Sequence, residues 1–180
     1  MASINRIFLL DRSGSMDSIV GDTIGGYNSF VKSQIAEGGT MSLYLFDHEV
    51  TEIYRNVPID KVEPLTNKTY VPRGSTSLLD AIGYIIKKET TKSVMIILTD
   101  GEENSSCNFT HAHIKDLTDM RTKDGWDFVY LGANQDAFAV GNSLGIRTTC
   151  TFDVANTLEM FGAVSAAVSQ ASQTNTQVTF

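Results

Sequence analysis

Cysteine is scarce in this sequence. There are two in 180 residues, Cys107 and Cys150, without C-x-x-C spacing. That excludes a disulfide-knit scaffold. We read the pair as free thiols, with a single disulfide between them as the alternative. Proline is also rare, with three residues, all between positions 58 and 72. No apolar run approaches the ~18 residues that read as a membrane span, so no membrane insertion is expected. Basic residues never cluster beyond Lys87-Lys88, and 14 of them stand against 21 acidic ones, a net charge of −7. Such a balance argues against a nucleic-acid or anionic-membrane partner. The opening residues Met1 to Arg6 hold no apolar leader core and run straight into a strand-like segment. Cytoplasmic synthesis is therefore expected, with later incorporation into a larger assembly left open.

What is present is an ordinary globular composition, 42% hydrophobic with 14 glycines. A chain of this length buries about 70% of its unfolded surface and needs no staple. We read one domain over 1–172 and a polar tail over 173–180. Strand-like and helix-like segments alternate, which points to an α/β fold. Strands are expected near 4–10, 41–46, 50–57, 93–99, 126–131 and 146–152. The short turn Asp47-His48-Glu49 makes the third strand an antiparallel edge of an otherwise parallel sheet. Helices are expected over 17–37, 77–88, 110–123, 133–144 and 155–172. Their inward stripes should include Ile24, Tyr27, Phe30, Val31 and Ile35 in the first, and Ile114, Leu117 and Met120 in the third. Leu158 and Phe161 should anchor the last. Ser77 and Asp80 have the spacing of a capping box at the second helix.

Three segments place oxygen groups at strand ends or helix starts. They are Asp11-Arg12-Ser13-Gly14-Ser15, Gly74-Ser75-Thr76-Ser77 and Thr99-Asp100-Gly101-Glu102. In an open parallel sheet, ligands bind at the carboxyl ends of the strands. Two carboxylates and three hydroxyls suit a hard divalent cation, Mg²⁺ first, then Mn²⁺ or Ca²⁺. So few negative charges leave the ion short of neutralisation and open to an external anion. No general base or nucleophile accompanies the set.

The pattern Asp11-x-Ser13-x-Ser15, then Thr76, then Asp100 after a central hydrophobic strand resembles the metal-ion-dependent adhesion site of von Willebrand factor type A domains, shared with integrin inserted domains. The resemblance covers about residues 4–172. It implies a Rossmann-like three-layer sandwich: a mostly parallel six-stranded sheet with one antiparallel edge strand and helices on both faces. It implies Asp11, Ser13, Ser15, Thr76 and Asp100 as metal-site residues. Arg12, Ser75 and Glu102 would stand at the partner-binding rim. The expected function is non-catalytic binding of a protein that presents Asp or Glu to the metal. It also implies that the last helix moves on ligand binding.

Two other classes compete. One is a structural or assembly protein, such as a virion component, that uses the same fold as a scaffold. The other is a Mg²⁺-dependent phosphatase. That chemistry wants a second Asp two residues after the first, where this chain has Ser13. A nucleotide-binding enzyme is disfavoured because G-x-x-x-x-G-K-[ST] and G-x-G-x-x-G are both missing. A serine hydrolase is not expected either, since no G-x-S-x-G nucleophile elbow is read. His111 and His113 point to different sides of a helix and make no zinc pair.

Overall fold

Strand β1 (Asn5–Asp11) is buried at every position. It pairs in parallel with β2 (Thr40–Phe46) on one side and β4 (Ser93–Thr99) on the other. A continuous apolar run such as Ile7-Phe8-Leu9-Leu10 fits a strand covered on both faces. Beyond these lie β3 (Val50–Pro58), β5 (Asp127–Ala133) and β6 (Thr148–Phe152), giving the order β3-β2-β1-β4-β5-β6. Only β3 runs antiparallel, at an edge. The computed structural model describes residues 4–180. Residues 1–3, part of the segment read above as having no leader, lie outside them.

Helices α1 (Val20–Gln34) and α5 (Thr157–Thr174) cover one face of the sheet. Helices α2 (Leu78–Lys88), α3 (His111–Lys123) and α4 (Ala137–Ser143) cover the other. The pleat sorts β1 between them. Phe8 and Leu10 belong to the cluster with Tyr27, Phe30 and Phe161, while Ile7 and Leu9 join Ile82, Ile86 and Trp126. This is the expected three-layer α/β sandwich. In α2, Leu78, Leu79, Ile82, Ile85 and Ile86 recur at helical spacing, and all five are buried. Each contributes about 1.5–3 kcal/mol relative to exposure. Lys87 and Lys88 close the helix where cations complement its dipole.

Several local expectations give way. The segment 14–37 is a 3-10 turn over Gly14–Ile19, then α1, then a second 3-10 turn over Ile35–Glu37. Three residues expected inward are substantially exposed: Ile35 at 44%, Met120 at 48% and Leu158 at 56%. Buried Thr118 lies on the inner side of α3, its hydroxyl satisfied by the carbonyls of Ile114 and Leu144. In α5 the buried anchors are Met160 and Phe161. The polar tail is not frayed throughout. Val178 is buried, its carbonyl accepts from Thr148 Oγ1 at 2.8 Å, and its backbone lies beside the Asp127 carboxyl. Thr148 and Asp127 open β6 and β5, so the tail returns to the pole where the parallel strands begin.

Candidate metal centre

The opposite pole gathers the oxygen-bearing segments. Asp11 closes β1 with its side chain fully buried, and Asp100 follows β4 directly. Asp11 Oδ1 accepts from the Ser13 backbone N–H at 2.6 Å, and Oδ2 accepts from Thr99 Oγ1 at 2.5 Å. Ser13 Oγ lies 3.2 Å from Ser15 Oγ, and Ser15 Oγ donates to Asp100 Oδ1 at 2.6 Å. Thr76 joins them over Gly101. A Cβ on Gly101 would stand 2.9 Å from Thr76 Oγ1 and 3.6 Å from both Asp11 Oδ2 and Ser13 Oγ. The structure thus brings Asp11, Ser13, Ser15, Thr76 and Asp100 into one neighbourhood, with a residue lacking a side chain at its wall.

The electrostatics of this pole are unbalanced. Burial pushes the Asp11 carboxyl up to about 6; hydrogen bonds from Thr99 and Ser13 oppose this, and the charge of Asp100 adds to it. Burial also raises Asp100, against the hydrogen bond from Ser15. The side-chain donors that reach the two carboxylates are hydroxyls, not cations.

Neighbouring loops hold the first segment in place. Gly14 N donates to Gly74 O at 3.2 Å, and Arg73 N to Arg12 O at 2.7 Å. Tyr70, from the irregular stretch 58–74, is buried and donates through its hydroxyl to the Asp11 carbonyl at 2.6 Å. Of the three rim residues, Arg12 is misplaced by the sequence reading. Its guanidinium turns inward, donating to Asp47 Oδ2 at 2.9 Å and Thr51 Oγ1 at 2.7 Å. A buried cation must be paired, and Asp47 at the end of β2 supplies the charge. Ser75 is half-buried and donates to Ser105 Oγ, and Glu102 is exposed. Arg73, beside Arg12, is half-exposed and bridges Asp47 at 2.7 Å and Glu49 at 3.1 Å.

Asp47, His48 and Glu49 also bring three ligand-type atoms within 4.8 Å of one another. Arg12 and Arg73 already neutralise that turn. Asp47 stays below the usual carboxylate range. Burial raises it, but hydrogen bonds from Arg73 and the Glu49 N–H, with the charges of Arg12 and Arg73, outweigh that.

The expected capping box does not form. Ser77 makes no side-chain cap to α2. Instead Leu79 N donates to Glu103 Oε2 at 2.9 Å, and Asp80 N to Ser106 Oγ at 3.0 Å. Asp80 in turn accepts from the backbone N–H groups of Cys107, Asn108 and Phe109. The loop after β4 and the start of α2 therefore cap each other. The sequence places Thr99 beside Asp100 but does not reveal its bond to Asp11, nor the supporting roles of Glu103 and Asn104; nothing in local spacing marks a partner over twenty residues away.

One G-x-S-x-G pattern is in fact present, Gly141-Asn142-Ser143-Leu144-Gly145. A nucleophile elbow needs a strand-to-helix turn. Here Ser143 is the exposed last residue of α4 and donates to the Val140 carbonyl at 2.6 Å. His111 and His113 are both exposed at the start of α3.

No family model and no curated protein matches the sequence at a significant level. Solved structures do match the fold. The von Willebrand factor domain of the pilus tip protein Mfa5 from Porphyromonas gingivalis superposes with a TM-score of 0.71 at 13% identity, covering 95% of this chain and 96% of that one. Proximal thread matrix protein 1 from the mussel byssus gives 0.65 at 17%, covering 91% of this chain and 45% of that one. Manganese-loaded TRAP protein from Plasmodium vivax gives 0.61 at 16%, covering 88% and 71%. The mussel protein is also known with zinc in its metal-ion-dependent adhesion site. The chain has the von Willebrand factor type A fold, and it spans just under half the length of the mussel protein. Among the described residues, no helix is long and apolar enough to cross a membrane.

Proposed function

We propose that this chain is a metal-dependent protein-recognition domain. It would hold a divalent cation through Asp11, Ser13, Ser15, Thr76 and Asp100, and bind a partner that offers an Asp or Glu carboxylate. The observation that carries the reading is the convergence of three hydroxyls and two cation-free carboxylates around Gly101. A carboxylate as buried as Asp11, with a second one beside it, is costly without positive charge. The donor set is all oxygen and fits Mg²⁺ or Mn²⁺ better than a soft ion. The manganese and zinc found in structures of the same fold support the same reading.

When bound, the cation supplies an electrophilic point for an external carboxylate. The chain's residues do the rest. Thr99 and the Ser13 N–H orient Asp11, Ser15 orients Asp100, and Gly101 leaves the space open. The reading is one of binding without turnover. The side-chain partners of the five residues are hydroxyls, carboxylates and the Asn104 amide, with no His, Lys or Cys among them to serve as base or nucleophile.

Calorimetric titration of the whole chain with Mg²⁺ and with Mn²⁺ tests this. One ion per chain should bind, and Ser13→Ala with Asp100→Ala should abolish it. Binding of an Asp-containing peptide should then require the ion and vanish in EDTA. A wild type that takes up neither ion, or peptide binding indifferent to EDTA, would sink the reading.

A further inference from the structure

Thr76 is the one member of the set outside the segments that directly follow β1 and β4. It lies in an irregular run between Gly74 and the first residue of α2. Its neighbours in sequence do not fix it, yet the residue is buried. Both of its backbone polar groups go to a single residue elsewhere. The Thr76 N–H donates to Asn104 Oδ1 at 2.9 Å, and the Asn104 N–H donates to the Thr76 carbonyl at 3.0 Å.

Resting on the metal-centre reading above, we infer that Asn104 is a positioning residue. It clamps the Thr76 peptide to the loop that carries Asp100 and so sets where the Thr76 hydroxyl stands. The two hydrogen bonds hold the peptide groups on either side of the Thr76 Cα, so they fix the orientation of its backbone as well as its place. The clamp lies four residues after Asp100, so Thr76 and Asp100 are held to the same loop. Flanking bonds stiffen it: Ser105 Oγ meets Ser75 Oγ at 3.0 Å and Ser77 Oγ at 2.8 Å. An amide oxygen suits the place because it accepts the Thr76 N–H without adding a third negative charge. Alanine there would strand a buried N–H, and the peptide would turn to find another acceptor.

Glu103 differs in kind. It bonds the α2 N-terminus and the loop backbone, touching no residue of the set. Its loss should cost stability rather than affinity.

The test uses the whole chain, with Mn²⁺ alone as the probe, in a cycle of Asn104→Ala, Thr76→Ala and the double variant. Asn104→Ala should weaken Mn²⁺ binding by about 10-fold or more, in the range of other supporting residues of metal sites. In the Thr76→Ala background the same change should cost less than about twofold, because its route to the metal is gone. Amide hydrogen exchange gives a readout without metal. Protection of the Thr76 N–H should fall in Asn104→Ala and persist in Asn104→Asp, which keeps the acceptor oxygen and serves if the alanine variant folds poorly. Equal losses in both backgrounds, or unchanged Mn²⁺ binding by Asn104→Ala, would overturn the inference and leave the metal centre standing. A wild type that binds no Mn²⁺ overturns both.

Discussion

Gly26 of α1 lies directly against the ring of Phe161 in α5, so closely that a Cβ on residue 26 would overlap the ring. The two helices meet at this point. Phe161 also stacks on Phe8 of β1, with ring centroids 5.9 Å apart, so it cannot retreat toward the sheet without disturbing the core.

Gly26→Ala is therefore expected to destabilise the fold despite alanine's better helix propensity. Overpacking of this kind costs about 1–3 kcal/mol, against a propensity gain of about 1 kcal/mol. In a domain this size each kcal/mol lowers the melting temperature by about 2–4 °C. Thermal unfolding against wild type decides it; an unchanged or higher midpoint would mean that α5 shifts freely.

Metal should stabilise the fold through Thr76. At ~100 times the dissociation constant, a ligand of the native state adds about 2.7 kcal/mol. The melting temperature should rise by several degrees with excess Mg²⁺ over EDTA, and by less in Thr76→Ala. Asp11→Asn should reverse the order. Without metal it should melt above wild type, since it removes a buried charge, and Mg²⁺ should no longer help it. A wild type indifferent to Mg²⁺ would count against the centre.

The space at Gly101 should matter for affinity more than for folding. Gly101→Ala would place a methyl group 2.9 Å from Thr76 Oγ1, and the hydroxyl can rotate away. The expected outcome is a clear loss of Mn²⁺ affinity by calorimetry with a near-normal melting temperature. Full affinity in the variant would mean that the ion sits elsewhere.

The Asp47 turn should show itself at acid pH. Its folded pKa lies below the ordinary 3.8, so its contribution is present above about 4 and is lost as pH falls through the depressed value. Asp47→Asn should therefore cost stability at pH 7, and the gap from wild type should narrow once the pH is taken well below 4. Urea unfolding at the two pH values measures it. A gap that persists in acid would assign the effect to packing instead.

Much of this was legible because the informative signals are local. Apolar runs mark the strands, and the short turn Asp47–Glu49 makes β3 the antiparallel neighbour of β2, while the order of the parallel strands is not written locally. The Asp-x-Ser-x-Ser spacing brings three side chains together within one loop. What escaped was settled by distant partners. Met120 and Leu158 carry the right spacing but lie on the outer sides of α3 and α5, which Thr118 and Met160 show by being buried. Asp80 has capping-box spacing, yet the loop over 107–109 offers it three backbone donors. Arg12 reads as a rim residue until Asp47, brought alongside by β2, draws it inside. Val178 lies in a polar stretch whose composition gives no hint that one residue docks.

The return of that last segment decides how the molecule can be held. Val178 ends beside the first residues of β5 and β6, and Asn5 opens β1 at the same pole. Asn5 and Val178 therefore both stand at the underside, with the length of the sheet between them and the carboxylates. A carrier, a surface or a fluorescent fusion held beside Asn5 or Val178 would leave the upper pole facing outward, like the head of a pin.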